Sequence, residues 1–292
     1  MRDWTPERVA AVAGGWLIAP PPTDDGPTKA VIDSRNAAPG ALFVGLRGER
    51  DDGGRYAPQA LANGAWGIIA TPEHAEAAKT GPAGVLIAAD DPLKALQQLA
   101  TAWRRDLKAD VIGVTGSTGK TSTKDIISAL LAPHRRTIAS RANYNTEIGL
   151  PLEILDAPPN TEVLVLEMGM RGPGQIAELA GIAEPDVGVI VSVGPVHLEL
   201  LGSIEAIAAA KAELLAALPT NGTAIVPAGE RLLDPHIPAS LNTITFGDGG
   251  DVSLRASEHN HVEIDDCGAM VTLEVPFTAA HLRTNLLAAV AA

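Results

Sequence analysis

Short apolar runs separated by turn residues fill the first hundred positions. AVIDSR from Ala30, GALFVGLRG from Gly40, GAWGIIA from Gly64 and GVLIAAD from Gly84 each read as a strand. YAPQALANG, starting at Tyr56, has helical spacing and sits among them. Ahead of them, residues 1–27 read as a short helix followed by the Pro/Gly-rich loop PPPTDDGP. Together these elements predict a small mixed α/β domain. DPLKALQQLATAWRRDL, residues 91–107, is an amphipathic helix with Asp90 or Asp91 as its cap, and it reads as the connection to a second domain.

Beyond Asp110 the pattern lengthens. DVIGVT, EVLVLEM, DVGVIVSV and GTAIVP are near-continuous Val/Ile/Leu strands. The helical stretches GKTSTKDIISALLA, PGQIAELAGIA and SIEAIAAAKAELLAAL separate them. Strands without alternation, divided by helices, predict a parallel sheet covered on both faces. After Pro227 the segments TITFG, VSLRA, HVEID and MVTLEV read as antiparallel strands. The last residues, TNLLAAVAA, read as a helix in which the chain stops, so a truncated chain or a missing third domain is expected. The domain boundaries expected are 1–108 and 109–292.

Composition narrows the function classes. The chain has 292 residues, 46 % of them apolar and 3 % aromatic, enough for a sizeable core built on aliphatic side chains. A formal charge of −13 disfavours nucleic-acid binding, which needs a surplus of Lys and Arg. A single cysteine, Cys267, excludes an internal disulfide and a multi-cysteine zinc site. No apolar run is long enough to insert in a membrane, and the N-terminus does not read as a secretory signal. The expectation is a cytoplasmic protein.

The sharpest chemical feature is Gly113-Val-Thr-Gly116-Ser117-Thr118-Gly119-Lys120-Thr121, between a strand and a helix. Glycines let several backbone N–H groups converge on one anion, and the helix start adds its positive dipole end. Lys120 can reach phosphate, and the Thr121 hydroxyl can bind Mg²⁺. The spacing departs from the general phosphate-loop form: the position five before Gly119 is Val114, not glycine. A glycine-rich corner without a ligand is the bland counterpart. No base-reading N-K-x-D sequence of the GTPase kind occurs. The expected fold class is therefore α/β, a small mixed N-terminal domain followed by a phosphate-loop parallel-sheet domain with an antiparallel extension.

Other candidates surround the loop. Glu167 ends a parallel strand, where it can hold a hard cation or simply meet solvent. His197 also follows a strand, in VGPVHLELLGS, and is either structural or part of the site. Lys211 lies in the apolar helix IAAAKAELLAAL, either snorkelling to the surface or pointing at the phosphates. Asn143 and Asn145, in SRANYNTEIGLPLEIL, read by themselves as turn residues.

In order along essentially the whole chain, these segments resemble the Mur ligase family of bacterial peptidoglycan synthesis, and within it the MurF branch. TGSTGKTSTKD is similar to its ATP loop, and RANYNTEIGLPLEIL to its Asn-rich segment. LEMGMRGPGQI resembles its E-x-G stretch, and VGPVHLELLGSIEAIAAAKAEL its H-L-E-x-x-G-S segment running to a lysine. DSRNAAPGALFVGLRGERDDGGRYAPQALANGAWGIIA looks like its uridine-nucleotide domain.

The resemblance implies an ATP-dependent amide ligase joining D-alanyl-D-alanine to UDP-MurNAc-tripeptide, with ATP and Mg²⁺ as cofactors. The protein would act as a monomer. Gly116, Ser117, Thr118, Gly119, Lys120, Thr121 and Ser122 would wrap the ATP phosphates. Thr121 and Glu167 would bind Mg²⁺, with His197 at a second metal position and Lys211 where related ligases carry a carbamylated lysine. Lys120, Glu167, His197 and Lys211 form the implied catalytic set. Ser34 and Arg35 would contact the UDP-sugar, Asn143, Asn145 and Thr146 would lie near nucleotide or peptide, and Asn285 would approach adenine. Residues 1–108 would bind the UDP-MurNAc-peptide and residues 109–292 the ATP.

Three departures stand out. The family's D-G-H-x-F/Y segment here reads Asp52-Gly53-Gly54-Arg55-Tyr56, without the His. Its late G-x-H-N-x-x-N segment reads Ala279-Ala280-His281-Leu282-Arg283-Thr284-Asn285. The family also carries a C-terminal domain beyond this point, so this chain alone is expected to be inactive or weakly active, with a separate C-terminal domain as a partner. Two alternatives stand beside the main reading: a MurE-like ligase adding one amino acid to UDP-MurNAc-dipeptide, and a non-catalytic ATP-binding fragment.

Overall fold

The computed structural model describes every residue except Arg2, Arg50, Ala142 and His197. Two compact units emerge: Met1–Leu107 with Pro151–Pro159, and Lys108–Leu150 with Asn160–Ala292.

The first unit contains α1 (Pro6–Val12), β1 (Trp16–Leu17), β2 (Lys29–Val31), β3 (Ala41–Val44), α2 (Ala57–Ala62), β4 (Gly67–Ala70), α3 (Pro72–Ala77), β5 (Val85–Ala88) and α4 (Pro92–Leu107). Its sheet has the order β1-β5-β4-β3-β2, with β1 antiparallel and the other pairings parallel. β3, β4 and β5 are buried at every position, as their unbroken apolar runs require. Asp91 is the cap of α4: its Oδ1 accepts the N–H groups of Leu93 and Lys94 at 3.0 and 3.1 Å. The helix buries Ala95, Leu96, Leu99, Ala100 and Trp103, one face at three- and four-residue spacing. Fully burying Leu96 or Leu99 contributes about 1.5–3 kcal/mol each relative to exposure. The Trp103 ring meets Trp4 edge-on at 5.9 Å, and the Trp4 indole N–H donates to Asp106 at 2.7 Å.

The second unit contains β6 (Asp110–Thr115), α5 (Lys120–Leu131), β7 (Thr137–Ala139), β8 (Val163–Glu167), α7 (Gln175–Ala183), β9 (Val187–Ile190), α8 (Leu198–Leu201), α9 (Ile204–Ala216), β10 (Thr223–Pro227), β11 (Asn242–Phe246), β12 (Val252–Glu258), β13 (His261–Asp266), β14 (Ala269–Glu274) and α10 (Ala280–Val290). One further helix, α6 (Gly149–Asp156), begins in this unit. The sheet order is β14-β13-β12-β11-β10-β9-β6-β8-β7. Pairing is parallel from β7 through β12 and antiparallel only across β12, β13 and β14.

TITFG is thus not antiparallel. It lies in β11, which pairs in parallel with β10 from Thr223↔Asn242 to Pro227↔Phe246. Its exposed and half-buried positions come from its place beyond the covered centre of the sheet, and exposure carries no information about strand direction. Asn285, Leu286, Leu287, Ala288 and Ala289 of α10 are buried, and Leu286 and Leu287 join the core cluster of Ile112, Val114, Ile127, Val165 and Val189.

Candidate active site

β6 is buried from Val111 to Thr115, whose hydroxyl donates to the Met168 carbonyl at 2.9 Å and joins the ends of β6 and β8. The chain then turns through Gly116–Gly119 into α5. Gly119 has φ +83°, a left-handed conformation that favours glycine. A Cβ there would lie 2.7 Å from Asn285 Oδ1 and 2.9 Å from Val191 Cγ1. α5 has no side-chain cap, and the N–H groups of Gly119, Lys120, Thr121 and Ser122 have no partner among the described residues. Unpartnered donors at the positive end of a helix are what an anion site requires.

Further contacts hold the loop's crest. Ser117 N–H donates to the Ser192 carbonyl and Thr118 N–H to Ser192 Oγ, both at 2.9 Å. Ser117 Oγ donates to the Gly194 carbonyl and accepts its N–H, again at 2.9 Å. Lys120 arches back so that Nζ donates to the Gly116 carbonyl at 2.9 Å, which holds the ammonium over the loop.

At the second residue of the helix, Thr121 Oγ1 donates to Glu167 Oε2 at 2.8 Å. Asn145 Nδ2 donates to the other oxygen, Oε1, also at 2.8 Å. Glu167 is 5 % exposed, at the carboxyl end of β8. A hydroxyl beside a carboxylate is a hard oxygen donor pair. It suits Mg²⁺, which keeps several waters and takes only one or two protein oxygens beside phosphate. Among the described residues no group of three or more His, Cys, Asp and Glu gathers as a closed metal cage.

Lys211 projects from α9 and is 3 % exposed. It lines a small pocket with Thr115, Gly116, Ser117, Lys120 and Met168. Burial, and secondarily the charge of Lys120, push its pKa down to about 8. The apolar helix around it therefore directs this lysine inward rather than to the surface.

A larger cavity, about 670 Å³, lies in the first unit, a volume in the range of small-ligand sites. Ile32, Asp33, Ser34, Arg35, Tyr56 and Gln59 line it. Asp33 and Asp52 cap the 3₁₀ turns Ser34–Asn36 and Gly53–Tyr56 at its wall. Ser34 is buried, and its hydroxyl donates to Gln59 Oε1 at 2.9 Å. Arg35 is exposed and pairs with Asp33 at 2.6 Å, a contact that lowers the Asp33 pKa to about 2.

Comparison with known proteins agrees with this layout. The Mur ligase middle domain matches residues 114–292, and the catalytic domain of the Mur ligase family matches residues 30–104. The chain belongs to the Mur ligase family. The UDP-N-acetylmuramoyl-tripeptide–D-alanyl-D-alanine ligase of Synechocystis is 42 % identical over 262 residues, which make up 89 % of this chain and 56 % of that protein. MurF from Acinetobacter baumannii superposes with a TM-score of 0.88 at 28 % identity, covering 99 % of this chain and 63 % of that one. MurF from Thermotoga maritima, solved in complex with ADP, gives 0.78 at 34 % identity, covering 89 % of this chain and 61 % of that one. The chain spans about half the length of the curated relatives it matches.

In this Mur ligase chain Gly116–Ser122, Glu167, Asn145 and Lys211 gather around the α5 start. His197 lies outside the described residues. Asn143 is exposed with φ +69°, a turn conformation, and Thr146 Oγ1 accepts the Gly149 N–H at 3.3 Å. Asn285 rests against Gly119, at the phosphate loop.

Three supporting residues escaped the sequence reading. Ser192 grips the loop crest. Ser140 Oγ accepts the Glu167 N–H at 2.9 Å. Lys124 is 4 % exposed and donates to the Ser140 carbonyl at 2.5 Å. Lys124 alone left a signal, since it falls one turn beyond Lys120 on the face that turns inward.

Proposed function

We propose that the second unit binds Mg²⁺-ATP and the first a UDP-MurNAc-peptide. The protein to which this chain belongs then joins D-alanyl-D-alanine to UDP-MurNAc-tripeptide. The observation that carries this reading is the uncapped α5 start, with Lys120 over it and the Thr121–Glu167 pair beside it. The high identity to ligases named for this reaction supports the choice of substrate.

In this mechanism the terminal carboxylate of the tripeptide attacks the γ-phosphorus of ATP and ADP leaves, which gives an acyl phosphate. The amine of D-alanyl-D-alanine adds to the acyl carbon, phosphate leaves, and the amine's proton is lost as the amide forms. The chain's contribution is positioning and charge neutralisation. The N–H groups of residues 119–122 hold phosphate oxygens, and Lys120 exchanges the Gly116 carbonyl for a phosphate oxygen. Thr121 and Glu167 would hold Mg²⁺, which when bound offsets charge on the transferring phosphoryl group. His197 is proposed at a second metal position. Lys211 joins the oxygen donors once carbamylated, since its ammonium would repel a cation. Asn143, Asn145 and Thr146 border the site, and Asn285 contributes on the nucleotide side.

In the first unit, Ser34 and Arg35 contact the UDP-sugar. On this reading residues 1–108 and 109–292 divide the two substrates between them. The protein works in the cytoplasm, as a monomer.

Competition tests this reading. UDP-MurNAc-tripeptide is expected to displace a labelled UDP probe from the chain more effectively than UDP-MurNAc-dipeptide. The reverse order would favour a MurE-like ligase instead.

A further inference from the structure

Gly54 has no backbone reason to be glycine, because its φ is not among the positive ones. The reason is a neighbour. A Cβ at residue 54 would lie 2.5 Å from Cδ2 and 3.0 Å from Cγ of His74, and 3.0 Å from Asp52 Oδ1. The imidazole of His74, carried on α3, thus fills the space that a side chain at position 54 would need. Position 54 is also where the chain departs from the D-G-H-x-F/Y pattern, so the imidazole missing from the turn in sequence stands beside it in space.

The contacts of His74 connect it to the cavity wall. Its Nε2 lies 3.4 Å from Asp52 Oδ2, and its side chain is 23 % exposed. Arg47 Nε approaches the same oxygen at 3.4 Å. Asp52 Oδ1 accepts the Gly54 N–H at 2.9 Å and so caps the turn Gly53–Tyr56. Gly53 and Tyr56 of that turn line the 670 Å³ cavity. Tyr56 is aimed by its hydroxyl, which donates to Asp51 Oδ2 at 2.8 Å.

We propose that His74 is a positioning residue for the uridine-nucleotide pocket: its imidazole takes the place of the side chain absent at Gly54 and, with Arg47, fixes Asp52 and the turn that presents Gly53 and Tyr56 to the ligand. The two positions are interlocked, so that one imidazole fits, supplied from either 54 or 74. The proposal rests on the first unit binding a UDP-linked ligand.

Four proteins test it: the parent chain, His74→Ala, Gly54→His, and the double variant Gly54→His/His74→Ala. The probe is UDP-MurNAc-tripeptide, with affinity read by calorimetry and folding by thermal unfolding. Each single variant is expected to bind on the order of tenfold more weakly, His74→Ala by loosening the turn and Gly54→His by collision. The double variant is expected to recover to within about threefold of the parent. A double variant as weak as the weaker single one, or unchanged affinity in His74→Ala, would overturn the proposal. Absence of binding by the parent would overturn instead the assignment of the first unit. The unfolding data then decide the interlock: recovery of the Gly54→His loss in the double variant supports it, and additive losses refute it.

Discussion

The hydroxyl of Thr121 donates to Glu167 at 2.8 Å although the two residues lie 46 positions apart. α5 brings the first and β8 the second, and the Thr115–Met168 bond joins the preceding strand ends. Asn145 occupies the other carboxylate oxygen, so the rotamer of Glu167 is set before any ligand arrives. Asn145→Ala is therefore expected to weaken Mg²⁺-dependent ATP binding about 10-fold, and Glu167→Gln by about 100-fold. ATP binding measured in EDTA should change little in either. Equal losses with and without Mg²⁺ would remove Glu167 from the metal position.

Lys120 spends its ammonium on the Gly116 carbonyl in the free loop. On the proposed mechanism, Lys120→Ala loses the cation for the transferring phosphoryl group. Turnover of the ligase carrying this change is expected to fall by about 100-fold or more, with the fold intact. Turnover near that of the parent would contradict the role.

Gly119→Ala places a methyl group at φ +83° and 2.7 Å from Asn285 Oδ1. The strain is expected to destabilise the chain by about 1–2 kcal/mol and to remove saturable ATP binding. Thermal unfolding and nucleotide titration check both effects. An unchanged melting temperature with normal ATP affinity would mean that the loop does not depend on this conformation.

Lys211 is governed by burial first and by Lys120 second, which bring its pKa down to about 8. Its folded pKa lies below the unfolded value of about 10.4, so the cost of burying the cation is present below pH 8. Stability then rises with pH from about 8 towards 10.4. At pH 8 about half of the side chain is the neutral amine, against less than about 1 % for an ordinary lysine. With ¹³C-bicarbonate, a protein-bound carbamate resonance should grow as the pH is raised from 6.5 to 8.5 and vanish in Lys211→Ala. A resonance that survives the substitution would assign the carbamate elsewhere.

Much of this architecture was legible in the residues because burial leaves a simple pattern. β8 is buried at all five positions and reads as VLVLE, and the GKT corner falls where β6 meets α5. Elements with mixed environments were less legible. β7 has three half-buried residues and is too short for a period. α6 begins GLP and is apolar on consecutive positions, so its sequence shows neither helical nor strand spacing. The site was legible where glycine or charge marks it. Ser192, Ser140 and the amide of Asn145 act through contacts between distant segments, and nothing local distinguishes a serine that grips a loop from one that meets water. The same holds for His74, which meets Gly54 across 20 positions of chain.

Calorimetric titration of the chain with UDP-MurNAc-tripeptide, in the absence and presence of Mg²⁺-ATP, tests the account most directly. Saturable binding at one site per chain is predicted, weakened by Ser34→Ala, whose hydroxyl is bonded to Gln59 at the cavity wall. Saturable ATP binding with no heat from the sugar nucleotide under either condition would contradict it.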